Sequence, residues 1–207
     1  MTRDEIIAKA SDNLNDAGYF YTPTDFSDSV QDAYDEIISL ALCKPAATRI
    51  DIAANKSYYD LPTLISDFVA LRGIYNSRNK RWLTPKTPRW MDAQRDDWEL
   101  QIGEPEFFSV YNFRYCAIYP KLSATAANVL WVFYYSSADT LIGSSTPNLP
   151  SVRGDEAIEF YATADLFEQA EEWVKAQEYY EQYIERFNEI ELYRNTLRLP
   201  DYVDGLR

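Results

Sequence analysis

Five carboxylates, Asp96, Asp97, Glu99, Glu104 and Glu106, fall within eleven positions beside Trp90, Trp98, Phe107 and Phe108. Acids set among aromatic faces are what a carboxylate glycosidase cleft is made from. The competing reading is a solvated turn flanked by core aromatics. Nothing else in the chain favours catalysis. There is no histidine among the 207 residues, which removes Ser-His-Asp and Cys-His arrangements, two-histidine zinc motifs and the commonest general base at neutral pH. Neither a dinucleotide glycine fingerprint nor a phosphate-binding Gly-Lys-Ser/Thr loop occurs. Two cysteines are too few for a cysteine-rich zinc or iron-sulfur site. The residues therefore imply no cofactor and no metal, and, apart from the carboxylate option, no enzyme.

A second set of acids is spaced for one face of a helix. Asp25, Asp28, Asp32, Asp35 and Glu36 recur three to four residues apart. A divalent-metal reading lacks the wrapped loop and glycine of a calcium hand, leaving a solvated face or, repeated around a symmetric ring, an acidic band. Glu168, Glu171, Glu172 and Glu178 form a comparable set near the C-terminus. Cations concentrate elsewhere. Arg72, Arg78, Lys80, Arg81, Lys86, Arg89 and Arg95 interleave with Trp82 and Trp90, superficially like a nucleic-acid stripe. With a pI near 4.4, pairing with acidic neighbours in the same or an adjacent subunit is the better reading.

The elements that must carry these sets follow from hydrophobic period. Ile6, Ile7, Ala10 and Leu14 predict a helix over Arg3 to Asn15, with Gly18 as its stop. Thr24 is expected to cap a second, whose stripe is Phe26, Val30, Ala33, Tyr34, Ile37, Ile38, Ala41 and Leu42, the two packing as an antiparallel pair. From Thr48 the period becomes two. Arg49 to Ala53 and Lys56 to Asp60 read as a hairpin about Ala54-Asn55, followed by strands Phe68 to Tyr75, Arg81 to Leu83, Phe107 to Asn112, Tyr115 to Tyr119 and Asn128 to Tyr135. A short helix over Arg89 to Trp98 puts Trp90 and Trp98 on its apolar side. Ala138 to Pro150 is a polar loop, expected to be an exposed binding element or a mobile connection. Asp155 to Arg198 lacks Gly and Pro and predicts two acidic helices broken near Gln169 to Glu172. Trp173, Tyr180, Tyr183, Ile184, Phe187 and Ile190 are its expected core stripe. One copy of this helix pair is too little for a tetratricopeptide array.

The expected fold is therefore α+β: an N-terminal helix pair over 1–44, a central antiparallel block of about six strands over 46–136, a loop over 137–150, acidic helices over 155–198 and a short extended tail. The first four parts make one domain, 1–198, and the tail is 199–207. Formal charge divides along the same lines. Met1 to Glu36 has 2 basic and 9 acidic residues, Asp155 to Arg198 has 4 and 12, and Ile37 to Gly154 has 13 and 10, within a total of −13. That partition suits a part in an assembly, one surface repelling polyanions and another open to partners. Hydrophobic residues at 46% are enough for a real core, and 17 Tyr with 5 Trp suit interfaces or sugar-binding faces as well as cores. Cys43 and Cys116 sit in apolar surroundings, as reduced thiols or as one disulfide. The N-terminus lacks a signal-peptide pattern, and the longest apolar run, Val129 to Tyr135, is too short to span a bilayer.

Local patterns then fall in a telling order. Tyr58-Tyr59-Asp60-Leu61-Pro62 closes a strand, Gly103-Glu104-Pro105 precedes Phe107 and Phe108, and Ala117-Ile118-Tyr119-Pro120 ends a later strand. Val132-Phe133-Tyr134-Tyr135 leads to Asn148-Leu149-Pro150, just before the helix near Asp155. From Arg49 to Tyr193 this succession resembles the head-to-tail adaptor proteins of tailed bacteriophages, also called connector, ring or tail accessory proteins. One departure is Lys121-Leu122, where the resemblance leads one to expect a second proline.

The resemblance implies a structural virion protein made in the host bacterial cytoplasm. It implies a ring, typically of twelve subunits, beneath the portal, extending the DNA channel and docking tail components such as nozzle, fibre or spike proteins, with no membrane partner. Duplex DNA would pass without sequence-specific binding, and the candidate acidic channel face is Asp25, Asp28, Asp32 and Asp35, or Glu168, Glu171, Glu172 and Glu178. The tail Leu199, Tyr202, Val203, Leu206 and Arg207 would dock on the portal, its alternative being a free terminus after Pro200. A carbohydrate-binding module is the rival from another class.

Overall fold

The computed structural model describes residues 1–15, 20–94, 97–149 and 153–196. Among these residues six helices and two four-stranded sheets make the fold α+β, with helices toward both ends and strands between. Two compact units form, one from Met1–Lys44 with Ala138–Arg207 and one from Pro45–Ser137.

In the helical unit, α1 (Arg3–Leu14) opens on a capping box. The Glu5 amide donates to Thr2 Oγ1 at 3.3 Å, and the Thr2 amide to Glu5 Oε2 at 2.9 Å. Asn15, left-handed at φ 52°, closes it; Gly18, the expected stop, lies outside the described residues. The next helix, α2 (Pro23–Ala41), is capped by Thr22 and not Thr24. Pro23 fills the first position, where no amide hydrogen is required, and Asp25 completes the box by accepting from the Thr22 amide at 2.7 Å. Its stripe from Phe26 to Ala41 is buried as expected, but Leu42 leaves it as a left-handed cap.

The C-terminal helices are α5 (Gly154–Gln169) and α6 (Trp173–Thr196). They break where expected. Glu171 takes φ 60°, its amide donates to Glu168 O at 2.9 Å, and the Glu172 amide reaches Phe167 O at 2.9 Å, which is a Schellman closure with Glu in the glycine position. Helix α5 is the common partner: Ile6, Val30, Tyr34 and Ile37 pack with Ala157, Ile158 and Ala162, and α6 adds Tyr183 and Ile190. Thus α1 and α2 are held together less by each other than by α5. The expected α6 stripe is only half core. Tyr183 and Ile190 are buried and Phe187 partly so, whereas Trp173, Tyr180 and Ile184 are 60%, 46% and 41% exposed. One seam against α2 and α5 cannot cover the full width of an amphipathic stripe.

The segment 138–149 does not stand free. Leu141 is buried, its amide donates to Gln31 Oε1 at 2.7 Å, and the Asn148 amide donates to the Tyr34 hydroxyl at 3.2 Å. Ser145 O accepts from the Arg3 amide at 2.8 Å. Backbone polar groups laid on a helical core need partners, and buried Tyr34 with half-buried Gln31 supplies them.

Among the described residues the strand unit contains eight strands, where about six were expected. One sheet orders β1 (Pro45–Ile52), β8 (Ala126–Ser136), β3 (Phe68–Asn76) and β4 (Arg81–Trp82). The other orders β2 (Tyr58–Asp60), β7 (Tyr115–Tyr119), β6 (Phe107–Tyr111) and β5 (Thr84–Pro85), and β5 pairs with β6 in parallel. A one-turn helix, α3 (Leu61–Leu64), follows β2. Ile50, Ile52, Ile74 and Val132 of the first sheet share a core with Tyr59, Phe108, Cys116 and Ile118 of the second. The hairpin expected at Ala54-Asn55 does not form. The turn exists, with Asn55 at φ 57°, but β1 pairs with β8 and β2 with β7, so the chain turns a corner between sheets. The expected helix ending at Trp98 is shorter, α4 (Pro88–Gln94), and Trp98 is buried in a separate 3-10 turn beside Met91. Neither cysteine is in a disulfide, and burial pushes the Cys116 thiol far up.

Candidate functional site

Asp25 belongs to the cap of α2, so the acidic face of that helix is Asp28, Asp32 and Asp35, all exposed. Across from it on α5 stands Asp165, which accepts hydrogen bonds from Ser29 Oγ of α2 and, at 3.0 Å, from Gln169 Nε2. The Asp32 carboxyl is held above the usual aspartate range, first by burial and then by the negative charges of Asp165, Asp35 and Asp28. These acids crowd one another, and among the described residues no cation pairs with them to relieve it. Asp32→Asn is therefore expected to raise the melting temperature at pH 7. The gain should fade as pH falls toward the ordinary aspartate range, where a proton already neutralises the wild-type carboxyl. A gain independent of pH in thermal melts would show that packing, not charge, was responsible.

Glu36, on the same helix, has a different role. It accepts from the Tyr183 hydroxyl at 3.2 Å, and burial first, then the Glu36 carboxylate, drives the Tyr161 and Tyr183 hydroxyls far above the ordinary tyrosine value. Both phenols remain donors at any physiological pH. Tyr161, Tyr180 and Tyr183 cluster with ring centroids 5.1 to 6.2 Å apart. The exposed side of this cluster lines a cleft of about 520 Å³ between α5 and α6, together with Asp165, Glu168, Trp173 and Gln177. Glu168, from the second acidic set, thus joins the aspartates of α2 through Asp165. Glu171 and Glu172 sit in the break, Glu172 paired with Lys175 at 2.5 Å, and Glu178 is exposed on α6.

Asp165 was not among the residues singled out from sequence. Its only sequence signal is an i, i+3 relation to Glu168, and its neighbour Asp32 lies 133 positions away. Tyr161 and Gln177 carried no signal at all.

The other candidates separate. Glu99 accepts from the Tyr58 hydroxyl, Glu104 pairs with Arg78 at 3.2 Å, Asp97 accepts from Gln101 at 3.1 Å, and Asp96 lies outside the described residues. Asp97, Glu99 and Glu104 thus each face a separate partner and Glu106 is exposed, which is the arrangement of a structural turn. The basic run is similarly divided: Lys86 lies over Trp90 at 4.7 Å, Arg78 is paired, and Arg72, Lys80, Arg81 and Arg89 are exposed without an ion pair among the described residues. Arg95 and the tail residues Leu199, Tyr202, Val203, Leu206 and Arg207 lie outside the described residues. No group of His, Cys, Asp or Glu among the described residues could hold a metal ion, and no described helix is long and apolar enough to cross a membrane.

Comparison with known families returns a match over residues 1–203 to the family model described as SU10 adaptor protein. No curated protein matches the chain.

Proposed function

This chain belongs to the SU10 adaptor protein family, and from that premise we propose that it is a ring subunit joining the portal of a phage head to the tail and extending the DNA channel. Carrying the reading is the extent of the match, residues 1–203. On this reading the protein is a structural component of the virion that works against portal and tail proteins rather than an enzyme. Twelve copies would match a dodecameric portal, and duplex DNA would pass through the ring without sequence-specific binding. The acids on α2, α5 and α6 support a channel role. Asp28, Asp32 and Asp35, or alternatively Glu168, Glu171, Glu172 and Glu178, would present carboxylates where a basic lining would hold phosphates. Asp25 drops out of the first set, being engaged at its cap.

The proposed portal anchor is Leu199, Tyr202, Val203, Leu206 and Arg207. Pro200 denies a helix one hydrogen bond, and three apolar side chains follow within six positions. Burying half of what they offer is worth about 3 kcal/mol, or roughly a hundredfold in affinity. Mass photometry of the protein mixed with its portal is expected to show added mass for the full chain and about a hundredfold weaker binding after truncation at Leu199. No added mass with the full chain overturns the ring. Equal binding by both proteins overturns the tail assignment alone.

A further inference from the structure

We propose that the cleft between α5 and α6 is the joint between subunits, and that it receives the cationic tip of the β3–β4 hairpin, residues 77–81, from a second copy of this chain. The inference deepens the ring reading and rests on it.

The cleft is built to take a cation. Trp173 and Tyr180 are 60% and 46% exposed at its wall, and Asp165 and Glu168 supply carboxylates beside them. Aromatic faces flanked by carboxylates attract Lys and Arg, and Trp is the best of the faces. The chain's own nearby cation, Lys175, is engaged elsewhere, with Glu172 at 2.5 Å and over the Phe167 ring at 5.1 Å. No residue of the described chain fills the cleft with positive charge.

The hairpin tip has the complementary form. Arg78, Lys80 and Arg81 stand within four positions, and Lys80 and Arg81 are exposed with no ion pair among the described residues. The loop is fixed before it docks. Ser77 donates from its amide and its hydroxyl to Val129 O, both at 2.9 Å, the Arg78 amide donates to Asn76 Oδ1 at 2.9 Å, and the Arg81 amide donates to Asn79 Oδ1 at 3.1 Å. Such preorganisation lowers the entropy lost on binding.

Charge decides for a second copy over another partner. The segments of the helical unit hold 9 basic and 24 acidic residues, whereas Pro45–Ser137 holds 11 basic and 9 acidic. Copies of net charge −13 repel one another, and that repulsion is lowered only by joints between surfaces of opposite sign. Only the strand unit supplies the positive sign. A joint between two different patches is heterologous and propagates head to tail, which closes into a ring when the rotation allows. It also places Glu168 in the joint, leaving Asp28, Asp32 and Asp35 as the set open to DNA.

The test uses charge reversal in the full chain on its portal, read by mass photometry. Glu168→Lys alone, and Lys80→Glu with Arg81→Glu alone, are each expected to lower ring occupancy at least about tenfold, the scale of one interface contact. An equimolar mixture of the two variants is expected to restore it. In an alternating even-membered ring every joint then pairs new lysine with new glutamates, or native with native. If Glu168→Lys shifts the melting temperature, Trp173→Ala tests the same wall. Assembly of the hairpin variant like wild type overturns the proposal. So does a Glu168→Lys defect that the mixture fails to rescue, which would assign the cleft to the portal. Failure of the wild type to assemble removes the ring reading itself, an outcome seen before any variant is compared.

Discussion

Replacing Tyr183 with alanine is expected to destabilise the helical unit by about 3–5 kcal/mol, the range for deleting a fully buried aromatic side chain. Tyr183 is 1% exposed, packs its ring against Tyr161, Tyr180 and Phe187, and donates to Glu36. The loss is double. A cavity opens where α6 meets α2 and α5, and Glu36 is left without that donor. Typical domains are stable by only about 5–15 kcal/mol, so about a fifth or more of the total goes. Tyr180→Ala, on the same helix but with its ring half in solvent, is expected to cost about 1 kcal/mol or less. Chemical denaturation followed by far-ultraviolet circular dichroism separates the two. Equal losses would mean that α6 is not seated on the α2 and α5 seam through Tyr183.

Genome exit carries the second large effect. If the proposed ring lines its channel with this face, Asp28→Lys, Asp32→Lys and Asp35→Lys together would turn three repelling groups per subunit into three phosphate contacts per subunit, multiplied around the ring. Six to ten phosphate contacts already give affinities that change by about 10³ to 10⁵ between low and moderate salt. Ejection from particles carrying the triple variant is therefore expected to slow by orders of magnitude and to recover as salt rises. Particle assembly should be unchanged, since these residues lie outside the proposed joint. Unaltered ejection would show that this face does not meet DNA. The same replacement at Glu171, Glu172 and Glu178 then tests the alternative face.

Sequence and structure agree where a local pattern has one physical outcome. The break between α5 and α6 was legible because a segment free of Gly and Pro was too long for one rod, and Glu171 closes α5 at the expected place. Strand β7 was legible to the residue. The corner at Ala54-Asn55 was not, because alternation gives the faces of two strands but not their partners. Ile52 and Tyr59 reach one core from opposite sheets, which looks from sequence like one hairpin. The cap of α2 was readable and missed: Thr22-Pro23-Thr24-Asp25 carries the Thr-x-x-acid signature, with Pro in the first helical position. For the site, each acidic set was visible at helical spacing. Their meeting through Asp165, and the aromatic wall beside them, depend on how α2, α5 and α6 pack, which no local pattern encodes.

The chain leaves the helical unit after Lys44 and returns at Ala138, and both crossings lie side by side: Lys44 pairs with Asp139 at 2.7 Å, and Pro45 is in register with Tyr135 across β1 and β8. Among the described residues, every member of the two helical core clusters comes from outside 45–137, and every member of the two strand-unit clusters from inside it. The middle of the gene is therefore an insert with a single socket, whose neighbouring ends any block closing on two adjacent strands can satisfy. Recombination confined to that segment would replace the strand unit and leave every member of the two helical core clusters in place, so the two units are free to carry different ancestries.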